Sequence, residues 1–176
     1  DGVKRGRVHI LLDGRDVSET SALLYVERLE TVLSEINATP DFDYRIASGG
    51  GRMTTTMDRY EADWNIVEQG WNTHVLGHAT HFKSAKEAIL SIRDSEPGII
   101  DQFLPSFVIA DDNGPIGKIH AHASVCFFNF RGDRAIEISR AFCEKTWPYF
   151  AREYIPVRYA GMMQYDGDLH IPKRFL

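Results

Sequence analysis

Three times along the chain, a short apolar stretch leads into an arginine-bearing loop and then into a helical pattern. The apolar stretches begin at Val8, Tyr44 and Val125, and we predict the last of them, residues 125–128, to be a buried strand. Alternation of strand and helix is typical of α/β proteins, in which helices connect parallel strands and cover the sheet. The apolar run 107–110, followed by an Asp-Asn-Gly-Pro turn, adds a hairpin, whose second arm we expect within residues 117–125. We therefore predict an α/β fold with a largely parallel sheet flanked by helices and with a β-hairpin excursion.

Three segments have the apolar spacing of amphipathic helices, with an apolar residue at about every third or fourth position. They cover residues 22–36, 57–67 and 135–142. We expect the second helix to end at Gly70, because glycine is common at helix C-termini. A further helix is expected at 84–93, because Ser-Ala-Lys-Glu at its start forms a capping box.

The composition argues against a nucleic-acid or membrane function. The 176 residues carry a net charge of −5 and lack a basic stripe. No apolar run approaches the length of a membrane span. Cys126 and Cys143 lie in apolar segments, and we interpret them as buried free thiols of a protein from a reducing compartment. We expect residues 1–176 to form a single domain, truncated from a larger protein.

Arginines gather where predicted strands end. Arg15 follows the first strand, Arg52 the second, and Arg131 and Arg134 the third, while Arg59 lies two turns beyond Arg52 if that stretch is helical. Ligands of α/β proteins bind beyond the carboxyl ends of the strands, and guanidinium groups bind phosphate and carboxylate in a bidentate manner. The arrangement therefore favours an anionic ligand. The alternative is that these arginines form surface ion pairs with nearby aspartates, namely Asp13, Asp16, Asp58 and Asp133.

Two further features of these loops have a structural and a functional interpretation. Asp16 can cap the helix expected near Ser18, or it can hydrogen-bond a ligand hydroxyl and transfer its proton. The glycines at 49–51 permit close backbone approach, and their amides, at a helix start, can also face an anion. The sequence does not decide between these alternatives.

We predict no metal site in this chain. His120 and His122 share one face of a predicted strand, but no third ligand is near them in the sequence, so we interpret them as part of an exposed strand face. The glycines at 49–51 do not have the spacing of a dinucleotide-binding motif.

Four segments together resemble the cofactor-independent (2,3-bisphosphoglycerate-independent) phosphoglycerate mutases. They are VHILLDGRDV at 8–17, ASGGGRM with MDRY within 47–60, FNFRGDR at 128–134 and YAGMM at 159–163. The GGGRM run is similar to the plant and trypanosomatid branch. The chain departs from the family at 121–123, which read Ala-His-Ala instead of Asp-Gly-Asp, and at 77–82, where Gly-x-Gly-Arg-x-Phe is expected. Neither departure affects the arginines.

The resemblance implies a two-domain, alkaline-phosphatase-like enzyme in which this chain is the inserted substrate-binding domain. The enzyme would interconvert 3- and 2-phosphoglycerate in the cytoplasm, as a monomer. The other domain would carry two divalent metal ions, with manganese expected, and a serine that is transiently phosphorylated. By the same resemblance, the residues that contact phosphoglycerate would be Arg15, Asp16, Arg52, Arg59, Arg131 and Arg134.

Two other functions remain open at this point. One is a non-catalytic module that binds a phosphorylated metabolite with the same arginines. The other is a related phosphomutase that acts on a sugar phosphate. A serine and a set of metal ligands in the flanking sequence would favour an enzyme, and a substrate profile would separate the two mutases.

Overall fold

Residues 2–176 are described by a computed structural model, in which the chain divides into two units. Unit 1 comprises the described residues up to Thr55 together with Asn72–Lys118. Unit 2 comprises Thr56–Trp71 and Ile119–Leu176. That the chain functions as a single domain stays a prediction.

Unit 1 is built on a five-stranded sheet. Its main strands lie in the order β1-β2-β4-β3, and β5 pairs with β4. The bounds are β1 Arg5–Leu12, β2 Asp43–Gly51, β3 Thr80–Phe82, β4 Phe107–Asp111 and β5 Gly114–Pro115. The pairs β1–β2 and β3–β4 are parallel, whereas β2–β4 and β4–β5 are antiparallel. The sheet is therefore mixed. The hairpin after β4 forms, but its second arm is β5 and not residues 117–125, as predicted.

Helices α1 (Ala22–Asn37) and α3 (Ala85–Ser95) contribute buried apolar residues to the core of unit 1. Val26 and Leu33 of α1 pack in one cluster with Ile89 of α3 and with Phe107 of the sheet. The predicted N-cap at Ser84 is confirmed, since its hydroxyl accepts a hydrogen bond from the Glu87 amide at 3.1 Å, whereas the Glu87 carboxylate accepts the amide of Lys83, one residue before the cap. The predicted α/β class, with a sheet flanked by helices, is confirmed.

Unit 2 combines helices α2 (Trp64–Gly70) and α4 (Ile136–Cys143) with a two-stranded parallel sheet, β6 (Ser124–Phe127) and β7 (Arg158–Gly161). Its centre is aromatic. Trp71 and Phe142 lie with ring centroids 5.0 Å apart, and Phe142 stacks on Tyr159 at the same distance. The Tyr159 hydroxyl is 2.8 Å from the hydroxyl of Ser139 on α4, which fixes the helix against β7.

Three predictions about unit 2 and its borders are wrong in detail. The helix predicted from residue 57 begins only at Trp64, and it does not end at Gly70 but continues as a π-helix over Trp71–Leu76. The strand predicted as buried is partly exposed, and Phe128 after it is 78% exposed. Cys126 is also exposed and Cys143 half-buried, so the thiols are not buried as expected. Apolar residues in a two-stranded sheet have too few neighbours to be covered on both faces.

Candidate functional site

The carboxyl ends of β1 and β2 bring Asp13, Asp16 and Arg52 together in unit 1. The strands are parallel and Leu12 pairs with Gly51, so the loops that follow them start side by side. Arg52 Nη1 donates to Asp13 Oδ1 at 2.5 Å and to Asp16 Oδ2 at 3.3 Å. Its backbone amide donates to the Leu12 carbonyl at 2.9 Å. This end of the sheet therefore holds a guanidinium between two carboxylates.

The ion pairs with Asp13 and Asp16 that the alternative interpretation predicted are present, but Arg52 is only 8% exposed, so they form a half-buried cluster and not surface pairs. Its Nε is buried and has no hydrogen-bond partner within residues 2–176. Asp16 remains accessible, with a side chain 56% exposed. An anion that binds here therefore meets a guanidinium whose position two aspartates already fix.

The triple glycine has a packing role, and the interpretation of its amides as a helix N-terminus is wrong. Residues 49–51 belong to strand β2, and the Gly51 amide donates to the Leu104 carbonyl at 2.8 Å. A Cβ on Gly51 would collide with the backbone carbonyl of Gln102. Glycine is required because the chain around the 3₁₀ turn Asp101–Phe103 crosses directly over the strand.

Asp16 does not cap helix α1. The helix begins at Ala22, with Ser21 as its N-cap residue and no cap from the Ser21 side chain. The acceptor at this helix start is Asp101, whose Oδ2 receives the Ala22 amide at 2.7 Å. The capping interpretation of Asp16 is therefore wrong, while its role in proton transfer stays a prediction.

Arg15 is exposed and follows Gly14, a glycine with a φ of 58°. Within residues 2–176 its side chain forms no hydrogen bond or ion pair. It differs in this from Arg52, which two carboxylates hold. An exposed guanidinium of this kind can form two parallel hydrogen bonds to a carboxylate or a phosphate.

Arg59 belongs to unit 2 and lies in a turn. The stretch 53–63 is not helical, so the predicted return of Arg59 by two helical turns is wrong. Its Nε is 2.9 Å from Asp133 Oδ2, and its guanidinium carbon lies 4.6 Å from the centroid of the Tyr60 ring. Nη2 donates to the Tyr60 hydroxyl at 2.9 Å. The guanidinium is thus fixed from two sides while its side chain remains 47% exposed.

Arg131 and Arg134 also belong to unit 2 and lie where the chain enters α4. Arg131 precedes the 3₁₀ turn Gly132–Arg134 and is exposed. Arg134 Nη1 donates to the Met57 carbonyl at 2.8 Å. The segment 57–60 and the entrance to α4 are therefore joined twice, by Arg59 with Asp133 and by Arg134 with the Met57 carbonyl.

The prediction that all these loops lie at one end of one sheet is wrong. Strand β6, which precedes Arg131, belongs to the two-stranded sheet of unit 2. The residues predicted to bind the ligand therefore form a group in each unit, Arg15, Asp16 and Arg52 in unit 1 and Arg59, Arg131 and Arg134 in unit 2. The apolar pattern of a strand does not say to which sheet it belongs.

Sequence reasoning missed two residues of α4 that contact the same turn. Glu137 is 2% exposed, and its Oε1 accepts the backbone amide of Glu61 at 3.1 Å. Arg140 donates to the Glu61 carboxylate. Burial, and next to it the carboxylates of Asp58 and Glu61, raise the pKa of Glu137. The sequence contains a pattern that could have identified these residues. Arg134, Glu137 and Arg140 recur at three-residue intervals and therefore share one helical face.

A buried polar cluster also lies in unit 1. Ser48 Oγ is 2.7 Å from Nδ1 of His9 and 2.7 Å from Nδ1 of His74. Burial, and to a smaller extent Arg7, lower the pKa of His9 to about 4. Burial and the neighbouring His9 lower the pKa of His74 well below its ordinary value. Both rings are therefore neutral at pH 7.

The described residues show neither a metal site nor a membrane span. Within residues 2–176, no three side chains of the types His, Cys, Asp and Glu lie close enough to hold a metal ion. His120 and His122 lie in a turn before β6, not on a strand face as predicted, and His122 has a φ of 68°. No helix in the described part of the chain is long and apolar enough to cross a bilayer.

Comparison with known proteins identifies what this arrangement is similar to. Residues 1–167 match the family model described as the BPG-independent PGAM N-terminus. A probable 2,3-bisphosphoglycerate-independent phosphoglycerate mutase of Leptospira interrogans is 61% identical over 99% of this chain. The 2,3-bisphosphoglycerate-independent phosphoglycerate mutase of Trypanosoma brucei brucei is 55% identical over 100% of it.

A solved structure gives the same result. The crystal structure of Leishmania mexicana phosphoglycerate mutase at low cobalt concentration matches 99% of this chain with 52% identity and a TM-score of 0.96. The chain spans about a third of the length of these relatives, 32% in each case. The resemblance seen in the four sequence segments, including its trypanosomatid branch, is confirmed.

Proposed function

The chain belongs to the BPG-independent phosphoglycerate mutase N-terminus family, and we propose from this that it forms the substrate-binding part of a phosphoglycerate mutase. In this proposal the full-length enzyme is an isomerase that interconverts 3- and 2-phosphoglycerate. The observation that carries the proposal is the structural match to a phosphoglycerate mutase over nearly the whole chain.

The proposed ligand contacts are the arginines and the aspartate predicted from the sequence. Phosphoglycerate carries a carboxylate and a phosphate, and a guanidinium forms two parallel hydrogen bonds to either group. Arg52 is held by Asp13 and Asp16, and Arg59 by Asp133 and Tyr60. Because these arginines are oriented before the ligand arrives, little side-chain entropy is lost when it binds. Arg15, Arg131 and Arg134 complete the proposed set.

Asp16 is the proposed group for proton handling. Transfer of the phosphoryl group between the two glycerate hydroxyls requires one hydroxyl to lose a proton as the other gains one. A carboxylate that is 56% exposed beside a fixed guanidinium can accept a hydrogen bond from a hydroxyl and then its proton. The glycerate must stay bound during this exchange, which is the task of the arginines.

Metal chemistry is assigned to the rest of the enzyme. Residues 2–176 offer no group of three side chains that fits a metal ion. We propose that two divalent ions, with manganese expected, and the serine that is transiently phosphorylated belong to a phosphatase-like partner domain of the same protein. The cobalt used with the Leishmania mexicana enzyme supports a divalent metal in the family.

The remaining proposals concern the setting of the enzyme. Phosphoglycerate is an intermediate of glycolysis and gluconeogenesis, so we propose that the enzyme acts in the cytoplasm. We also propose that it is a monomer, in which residues 1–176 form one domain and the partner is the second domain of the same chain.

The proposal is tested by assaying the full-length protein and the 176-residue chain in parallel. The full-length protein is expected to convert 3-phosphoglycerate to 2-phosphoglycerate and to leave sugar phosphates unchanged. The chain alone is expected to show no turnover with or without manganese, because the serine and the metal ligands lie elsewhere. Turnover of a sugar phosphate by the full-length protein would contradict the substrate assignment. Turnover by the purified 176-residue chain would contradict the assignment of the serine and the metal ligands to the other domain.

A further inference from the structure

The turn that carries Arg59 has an unfavourable backbone conformation. Tyr60 has a φ of 60° and Glu61 a φ of 56°, so two consecutive residues with side chains adopt the left-handed region. This region is strained for residues other than glycine, and it persists only where the surroundings impose it. The turn therefore has to be held by contacts from outside itself.

One face of the helical segment around α4 supplies these contacts. Arg134 donates to the Met57 carbonyl before the turn, Glu137 accepts the Glu61 amide within it, and Arg140 donates to the Glu61 carboxylate. Asp58 Oδ2 accepts the Asp63 amide at 3.0 Å and closes the turn from within. Three side chains on one face of the segment thus form hydrogen bonds to the turn and to the residue before it.

Glu137 is the central contact of this face. It is 2% exposed, while its Oε2 is buried and has no hydrogen-bond partner among residues 2–176. A buried carboxyl with one unsatisfied oxygen is costly, and an apolar side chain of similar size would remove that cost. The hydrogen bond from Oε1 to the Glu61 amide is what such a replacement would lose. Burial also raises the pKa of this carboxyl, which is consistent with a group kept for its acceptor oxygen rather than for its charge.

We propose that Glu137 is a positioning residue, which orients Arg59 for the phosphoglycerate by holding the left-handed turn at Tyr60 and Glu61. This inference rests on the proposed function of Arg59. Arg59 is fixed at its side chain by Asp133 and Tyr60, and Glu137 fixes the backbone at Glu61, two residues after Arg59 in the same turn. Without the backbone contact, the turn relaxes towards ordinary φ values and the guanidinium leaves its place.

The test is a double-mutant cycle in the full-length enzyme. Glu137→Met retains the approximate volume and removes the acceptor oxygen, and Arg59→Ala removes the guanidinium. We expect each single variant to raise KM for 3-phosphoglycerate about tenfold or more, the effect of losing one hydrogen bond to a charged group. The kcat is expected to change by less than about threefold, as for a contact made equally in the ground and transition states. The double variant is expected to have the KM of Arg59→Ala alone, because Glu137 acts through Arg59.

Two further variants separate positioning from stability. Glu137→Gln keeps an acceptor oxygen for the Glu61 amide and is expected to retain the wild-type KM. Glu137→Asp withdraws the carboxylate by one methylene and is expected to raise KM even if Glu137→Met does not fold. Glu144→Gln is the matched control, because Glu144 follows the same helix and accepts Arg140 Nε at 2.7 Å, whereas the Glu61 amide of the turn is accepted by Glu137. Its KM is expected to equal that of the wild type.

The outcomes distinguish this inference from the function on which it rests. A wild-type KM for Arg59→Ala would overturn the assignment of Arg59 to the substrate, and with it the role of Glu137. A raised KM for Arg59→Ala with a wild-type KM for Glu137→Asp and Glu137→Met would overturn the inference alone. Additive effects in the cycle would also overturn it, since Glu137 would then act independently of Arg59.

Discussion

The carboxylate of Asp101 accepts a hydrogen bond from the backbone amide of Ala22 at 2.7 Å, so helix α1 starts on a side chain 79 residues further along the chain. Asp101 is 1% exposed and also receives Arg93 Nη2 at 2.5 Å. A buried carboxylate with these partners satisfies a helix terminus and a cation at once. It links α1 to α3 at the point where the β1 loop enters the helix.

Replacement of Asp101 is expected to destabilise the protein. Asp101→Ala leaves the Ala22 amide without its acceptor and Arg93 with only the Thr20 carbonyl, which should cost about 3 kcal/mol of unfolding free energy. Asp101→Asn keeps an acceptor for the amide and is expected to lose less. Urea denaturation measures the difference through the midpoint at an unchanged m-value. Lys83→Ala is the control, because it removes only an exposed ion pair with Asp112. If Lys83→Ala lowered the unfolding free energy as much as Asp101→Ala, the effect of Asp101→Ala could not be assigned to its buried contacts.

Stability is expected to fall on acidification because of His9 and His74. The unfolded chain takes up protons near pH 6.5, whereas the folded state keeps His9 neutral down to its pKa of about 4. The stability that His9 contributes is therefore fully present above pH 6.5 and is lost as the pH falls towards 4. For His9 alone, the loss between pH 6.5 and pH 4 amounts to about 3 kcal/mol, at 1.36 kcal/mol for each pH unit.

The measurement is urea denaturation at a series of pH values for wild type and His9→Gln. The variant is expected to show a shallower fall between pH 6.5 and 4, because one titrating group has been removed. His120→Gln changes an exposed histidine and serves as the control. An identical pH dependence in wild type and His9→Gln would exclude His9 as a source of acid sensitivity.

The arginines at the entrance to α4 are expected to tolerate lysine poorly. Arg131→Lys and Arg134→Lys in the full-length enzyme retain the charge but lose the planar, two-pronged donor. Each is expected to lower kcat/KM by the equivalent of about 1.5–3 kcal/mol, the contribution of a hydrogen bond to a charged group. Steady-state kinetics measures the effect, and metal content should be unchanged. Wild-type kinetics in both variants would assign these arginines to structure alone.

Asp16→Asn should separate proton transfer from structure. Because helix α1 begins at Ala22 and does not depend on Asp16, the substitution is expected to leave the melting temperature nearly unchanged. Loss of the basic oxygen is expected to lower turnover by roughly 10²–10⁴-fold, the usual contribution of a general acid or base. Turnover and thermal unfolding are measured on the same preparation of full-length enzyme. An active variant would leave Asp16 only as the partner of Arg52.

Much of the local structure could be predicted because it depends on neighbouring residues. The apolar spacing from Ala22 to Ile36 gave a helix that runs to Asn37, and Ser84 caps α3 as its capping box predicts. The meeting of Asp13 with Arg52 was also predictable, since parallel strands end at the same edge of a sheet. The helix predicted over residues 57–67 was wrong in its first half, because the apolar residues before Trp64 belong to a turn and not to a helix.

The sequence by itself determined the α/β class, most element positions and the family to which the four arginine-bearing and glycine-bearing segments belong. Only the tertiary structure decided that β6 pairs with β7 in a separate sheet, that Asp101 starts α1 and that Glu137 holds the turn at Glu61. Helix periodicity and capping arise from contacts within a few residues, so they can be predicted from the local sequence. Strand partners and buried acceptors join residues far apart in the chain, and they are fixed only when the whole core has packed.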